Sequence, residues 1–111
     1  MQHVLALDLK DDPALIAAYE AHHRAVWPEV REHLRRHGVI EMAIYRLGTR
    51  LVMVMHTDDA VYDAGRMEAA SLADPVLCKW EALMSTFQAP TPWSTQGRKW
   101  TPMAQVFDFR Q

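Results

Sequence analysis

Residues 39–57 read VIEMAIYRLGTRLVMVMHT, two β-rich runs (39–46 and 50–57) on either side of Leu47, Gly48 and Thr49. Such runs flanking a glycine-containing turn read as a hairpin. Side chains alternate across a strand, so Ile40, Met42 and Ile44 share one face of the first run and Glu41, Ala43 and Tyr45 the other. The second run does not alternate in polarity: Leu51 to Met55, LVMVM, is apolar on both faces. A strand of that kind needs two covers. Helices supply one, and a second copy of the chain is the simplest source of the other, because a small four-stranded sheet cannot wrap around itself.

On the N-terminal side, residues 3–9, HVLALDL, read as a strand that ends at Lys10-Asp11-Asp12-Pro13. Asp12 is placed to cap a helix whose first position is Pro13. Leu15, Ile16, Tyr19, His22, His23 and Val26 then recur at spacings of three and four, the period of an amphipathic helix. Pro28 lacks an N–H and disfavours helical geometry at Trp27, so the helix is expected to kink or restart there. The restarted segment turns Val30 and Leu34 inward, carries Arg35-Arg36-His37 at its C-terminus and stops at Gly38.

On the C-terminal side, residues 58–72 are expected to be helical. After Asp74-Pro75 a second helix, residues 76–87, presents Leu77, Trp80, Leu83, Met84 and Phe87 as its apolar face. Residues 88–99, with Pro90, Pro92, Ser94 and Gly97, read as an extended loop, and residues 100–109 as a final strand. The order strand, helix, strand, strand, helix, strand predicts an α+β fold, a ferredoxin-like sandwich with an antiparallel sheet. A single domain over residues 1–111 is expected, dimerising through its sheet.

The 111 residues carry 12 Lys and Arg against 14 Asp and Glu, and half of them are hydrophobic. One core is affordable at this length. No basic run or stripe marks a nucleic-acid or anionic-membrane surface, and no apolar run is long enough to cross a bilayer. Met1 to Leu9 reads as a strand rather than a signal peptide, and the single Cys78 excludes an intrachain disulfide, so a cytoplasmic location is expected. Cys78 itself reads as a small buried hydrophobe. His33 and His37 are four residues apart, but no third ligand falls at a telling spacing and Arg35 and Arg36 oppose a cation, so they read as a solvated face.

The chemistry concentrates in residues 19–29, YEAHHRAVWPE. Tyr19, His23 and Trp27 follow one another at four-residue intervals, which lines a phenol, an imidazole and an indole along one side of a helix. Such a set suits a small polar molecule that needs proton transfer. Periodicity does not choose between His22 and His23. The pattern Tyr-x-x-x-His-x-x-x-Trp-Pro-Glu, followed by His37-Gly38, by Met42-Ala43-Ile44-Tyr45, by the stretch from Asp74 to Trp80 and by Val106-Phe107, resembles the L-rhamnose mutarotase family over nearly the whole chain.

That resemblance implies a homodimeric α/β barrel and a sugar mutarotase that works without metal or organic cofactor. It assigns His23 as the proton donor, Tyr19 as a sugar-binding residue and Trp80 as one wall of the site; Trp27, next to Pro28, reads as mainly structural, packing the kink. Two departures bear on the substrate. Met42 stands where the rhamnose-type enzymes have a Tyr, and Lys79-Trp80 where they have a Trp pair. Both are therefore read as substrate-binding positions, and MAIYR with KWEALM is more similar to a branch associated with L-fucose. The second proton-transfer group is not identified: Glu29 and Glu81 qualify by residue type, and a charged helix face explains each equally well. Two other readings of the fold remain open, a dimeric monooxygenase or haem-binding protein with a helical His as ligand, and a sugar-binding module without catalysis.

Overall fold

The computed structural model describes residues 1–110. Its elements run β1 (Gln2–Leu9), α1 (Pro13–His23), α2 (Pro28–Arg36), β2 (Val39–Leu47), β3 (Arg50–Thr57), α3 (Ala64–Ala73), α4 (Pro75–Ser85), β4 (Gln88–Ala89) and β5 (Thr101–Pro102). The hairpin forms as its sequence dictates. Gly48 takes φ +59° at the turn, a conformation that glycine adopts without steric cost.

All strand pairings are antiparallel, in the order β2-β3-β1, and β4 and β5 share the far edge of β1. The register places Leu7 opposite Leu51 and Leu5 opposite Met53, with Ile44 across from Met53 on the other side. These side chains point to the inner face, where the helices lie and where Leu7, Leu9, Leu51, Met53 and Met55 are buried. The residues between them, Val4 and Ala6 on β1, Val52 and Val54 on β3, Ala43 and Tyr45 on β2, form the outer face. Among the described residues no helix covers it, and Tyr45 is 63 % exposed. The α+β fold with its antiparallel sheet is thus the one expected.

Three elements differ from their sequence reading. The first helix ends at His23, well before Pro28, and Trp27 has φ −59° and ψ 140° as the residue ahead of α2. Proline excludes its predecessor from helical geometry, and the chain unwinds a turn earlier to accommodate this. Trp27 therefore does not share a helix with Tyr19 and His23. The helix expected over 58–72 starts only at Ala64, because the Asp58 carboxylate accepts from the Ala60 N–H at 3.0 Å and the Asp58 carbonyl from Val61 and Tyr62, closing a turn instead.

The final strand is the third. Of residues 100–109 only Thr101 and Pro102 pair with β1, extended by one bond from the Met103 N–H to the Val4 carbonyl at 2.8 Å. Pro102 has no N–H to give a ladder, and Val106, Phe107 and Phe109 beyond it are 95, 78 and 71 % exposed. Cys78 also differs: it is exposed rather than buried, since Leu77 and Trp80 take the inward side of α4 and Cys78 lies about 100° round the helix from Leu77.

Candidate functional site

Two capped helices bring the site together. The Asp12 carboxylate accepts from the N–H groups of Ala14 and Leu15 at 2.9 and 3.3 Å and starts α1. The Asp74 carboxylate does the same for Val76 and Leu77 at 2.9 and 3.4 Å and starts α4. With Pro at the next position each start is fixed to one residue. Tyr19 and His23 then leave α1, and Trp80 leaves α4, toward the same region of the inner sheet face.

The His23 ring lies 4.2 Å from the Tyr19 ring and 5.8 Å, edge on, from Trp80. His22 points elsewhere, its ring 5.6 Å from Phe87. His23 Nδ1 is 2.9 Å from the Tyr19 carbonyl oxygen. A carbonyl only accepts, so Nδ1 carries a proton, and Nε2 is the nitrogen left to gain or release one. Tyr19 and Trp80 are 3 and 6 % exposed and belong to the core cluster with Leu9, Leu51, Met84 and Phe87. They offer a ligand an edge, and His23, half-buried, is the accessible member. Burial pushes the Tyr19 phenol up to about 12; the Gln88 side chain against it pulls the other way, and negative Glu81 adds to the rise. The phenol is therefore a neutral hydrogen-bonding group at any working pH.

Trp27, read from sequence as packing the kink, stands 5.1 Å edge on from Trp80 and braces the indole from the side of α2. Met42 lies on the inner face of β2, half-buried and opposite Met55, two residues from Ile44, which packs on the core cluster. Lys79 is exposed on α4 and makes no ion pair among the described residues. Tyr19, His23 and Trp80 thus converge, whereas Met42 lies farther along β2, two residues from the cluster's Ile44, and Lys79 on the solvent side. Glu81 pairs with Lys99 at 3.1 Å, and neither Glu81 nor Glu29 bonds to His23 or Tyr19 among the described residues. The sequence reading passed over Gln88, which it took for loop; only the register opposite Leu9 turns it inward.

Two hollows lie away from this cluster. One of about 400 Å³ runs along β2 and is lined by Glu41, Met42, Ala43, Tyr45, Val54 and His56, so the substrate-binding position expected at Met42 borders this hollow. Another of about 350 Å³ separates α2 from α4 beside His33, His37 and Asp74. His33 and His37 stack at 4.7 Å, and among the described residues no group of three potential ligands gathers for a metal.

The profile of the L-rhamnose mutarotase family matches residues 2–109. The chain belongs to this family. It is a sugar mutarotase, an isomerase. An L-fucose mutarotase of Xanthomonas campestris pv. campestris is 46 % identical over 103 residues, covering 91 % of this chain and 82 % of that protein. A UPF0734 protein of Dictyostelium discoideum is 34 % identical over 93 % of this chain and 85 % of its own length. Among solved structures, an L-rhamnose mutarotase from Formosa agariphila superposes with a TM-score of 0.70 at 18 % identity, covering 99 % of both chains. The tetracenomycin F2 cyclase of Streptomyces glaucescens superposes at 0.56 with 19 % identity, over 100 % of this chain and 97 % of the cyclase. The last two matches establish the ferredoxin-like fold alone, and their different chemistries leave the site to distinguish this mutarotase.

Proposed function

We propose that the chain interconverts the α and β anomers of a 6-deoxy-L-hexose, L-fucose first and L-rhamnose next, with His23 as the proton donor. The observation that carries this is the bond from His23 Nδ1 to the Tyr19 carbonyl beside an uncharged phenol and an indole wall. Anomerisation needs the anomeric hydroxyl to lose a proton and the ring oxygen to gain one. The C1–O5 bond breaks, the aldehyde turns about C1–C2, and the ring closes on its other face.

His23 Nε2–H is the acid for O5, its ring orientation held by the backbone contact at Nδ1. Tyr19 orients a hydroxyl, and Trp80 walls the apolar C–H side of the sugar. Met42 and Lys79 select between sugars at the rim of this site. The 46 % identity to an enzyme named for L-fucose supports that preference. The working unit is a cytoplasmic homodimer in which two outer sheet faces pack as an α/β barrel. The uncovered apolar residues of that face support the dimer, as does the free edge of β2, where Leu47 is 86 % exposed.

The test is exchange NMR of the anomeric protons with L-fucose and L-rhamnose in parallel, against the spontaneous rate. Wild type is expected to speed exchange, and His23→Ala to lose about 10²-fold or more of that gain, the usual contribution of a positioned acid. Exchange no faster than the spontaneous rate for both sugars would sink the assignment.

A further inference from the structure

Gln88 lies on β4, paired with Leu9 of β1. Directly paired residues on neighbouring strands send their side chains to the same face, and Leu9 belongs to the inner core, so Gln88 also faces the helices. Its Oε1 is a buried side-chain oxygen without any hydrogen-bond partner among the described residues. The amide neighbours the Tyr19 phenol, whose pKa it acts to lower. The amide thus lies beside a proposed sugar-binding residue, and its oxygen has no donor among the described residues.

A buried acceptor left without a donor is destabilising, and a Met or Leu of similar volume would remove that penalty. Burial is also what makes such a group selective. A site built around an unpaired polar atom favours a ligand that brings the missing partner and rejects the analogue that lacks it. A pyranose presents several hydroxyl donors, and the amide sits beside the phenol and one residue beyond Phe87, which contacts both Tyr19 and His22 at ring distances of 6.1 and 5.6 Å.

We propose that Gln88 is a specificity-determining residue whose side-chain oxygen accepts a hydrogen bond from one ring hydroxyl of the sugar, the amide turning about its last torsion as the sugar enters. This rests on the mutarotase reading of Tyr19 and His23. No bond to Gln88 is made or broken in the reaction, so its effect falls on KM and on the choice of sugar, and kcat changes little.

The experiment compares wild type with Gln88→Met, using L-fucose and its analogues lacking the hydroxyl at C2, C3 or C4 in turn. Anomeric exchange rates and thermal melting are both recorded. Gln88→Met is expected to melt at or above the wild-type temperature while KM for L-fucose rises about tenfold and kcat stays within about twofold. One deoxy analogue should be about tenfold poorer than L-fucose with wild type and no poorer with Gln88→Met. A variant with wild-type KM and wild-type ranking of the analogues overturns the proposal while leaving the mutarotase reading intact. A wild type that accelerates none of the sugars overturns both. Gln88→Leu serves as the replacement if Met does not fold. Independently of any variant, the Gln88 side-chain amide resonances of wild type should shift on titration with L-fucose, and unmoved resonances at saturating sugar would also overturn the proposal.

Discussion

The Tyr19 phenol shows how one residue serves the core and the site together. Its proton affinity is raised because an ionised phenol would lose much of its hydration in the largely buried position that Tyr19 takes. The sign of the stability effect follows. Unfolded, the phenol ionises from its ordinary value of 10.0 upward, and folded it holds its proton to about 12. Its contribution is complete below pH 10 and is lost as the pH rises through 12, to a total of roughly 2–3 kcal/mol. Alkaline unfolding followed by circular dichroism should show this loss in wild type, and Tyr19→Phe should flatten the curve over that window; an unchanged slope would exclude Tyr19 as its source. At the same scale, the Met42→Tyr, Lys79→Trp double variant is expected to raise the ratio of L-rhamnose to L-fucose activity by about tenfold, measured by anomeric exchange. An unchanged ratio would remove both positions from sugar selection.

At the scale of the element, short junctions locate the site. Asp12 and Asp74 define where α1 and α4 begin, and so on which side of each helix His23 and Trp80 emerge. Asp12→Ala is expected to cost about 1 kcal/mol, and a melting temperature within a degree of wild type would refute the capping role. Gly38 closes α2 with φ +84°, and a Cβ there would sit 2.9 Å from Val61 Cβ and 3.1 Å from the Tyr62 backbone nitrogen. Gly38→Ala therefore meets both strain and overlap and should destabilise by about 1–3 kcal/mol in chemical denaturation. Both caps and this stop were legible in the sequence, because Asp-Pro and His-Gly act on their immediate neighbours. The early end of α1 was not, because Pro28 dictates only that Trp27 leaves helical geometry and not how many residues before it unwind.

For the whole molecule, the unpaired surface points to a second copy. Val52, Val54, Ala43 and Tyr45 make an outer face without cover, and Val106, Phe107 and Phe109 extend from β5 without packing on their own subunit. In the proposed dimer, exchange of that tail would bury these side chains at little cost, since residues 103–110 belong to no helix or strand of their own. Sedimentation should give twice the 12.8 kDa chain mass, with Val54→Asp reduced to monomer. Removing residues 104–111 keeps the β1–β5 pairing and should weaken the dimer at least tenfold; a truncated form that dimerises like wild type would exclude tail exchange.

The sequence by itself determined the hairpin, the capped helix starts, the two-faced apolar strand and the Tyr19–His23 spacing, since each depends on neighbours within a few positions along the chain. Only the tertiary structure decided that His23 rather than His22 meets Trp80, that Trp27 belongs to the wall of the cluster, that Cys78 is exposed and that Gln88 turns to the inner face. Each of these depends on the register of one element against another. Packing between elements far apart in the chain is set by the whole inner face, beyond what a few neighbouring residues encode.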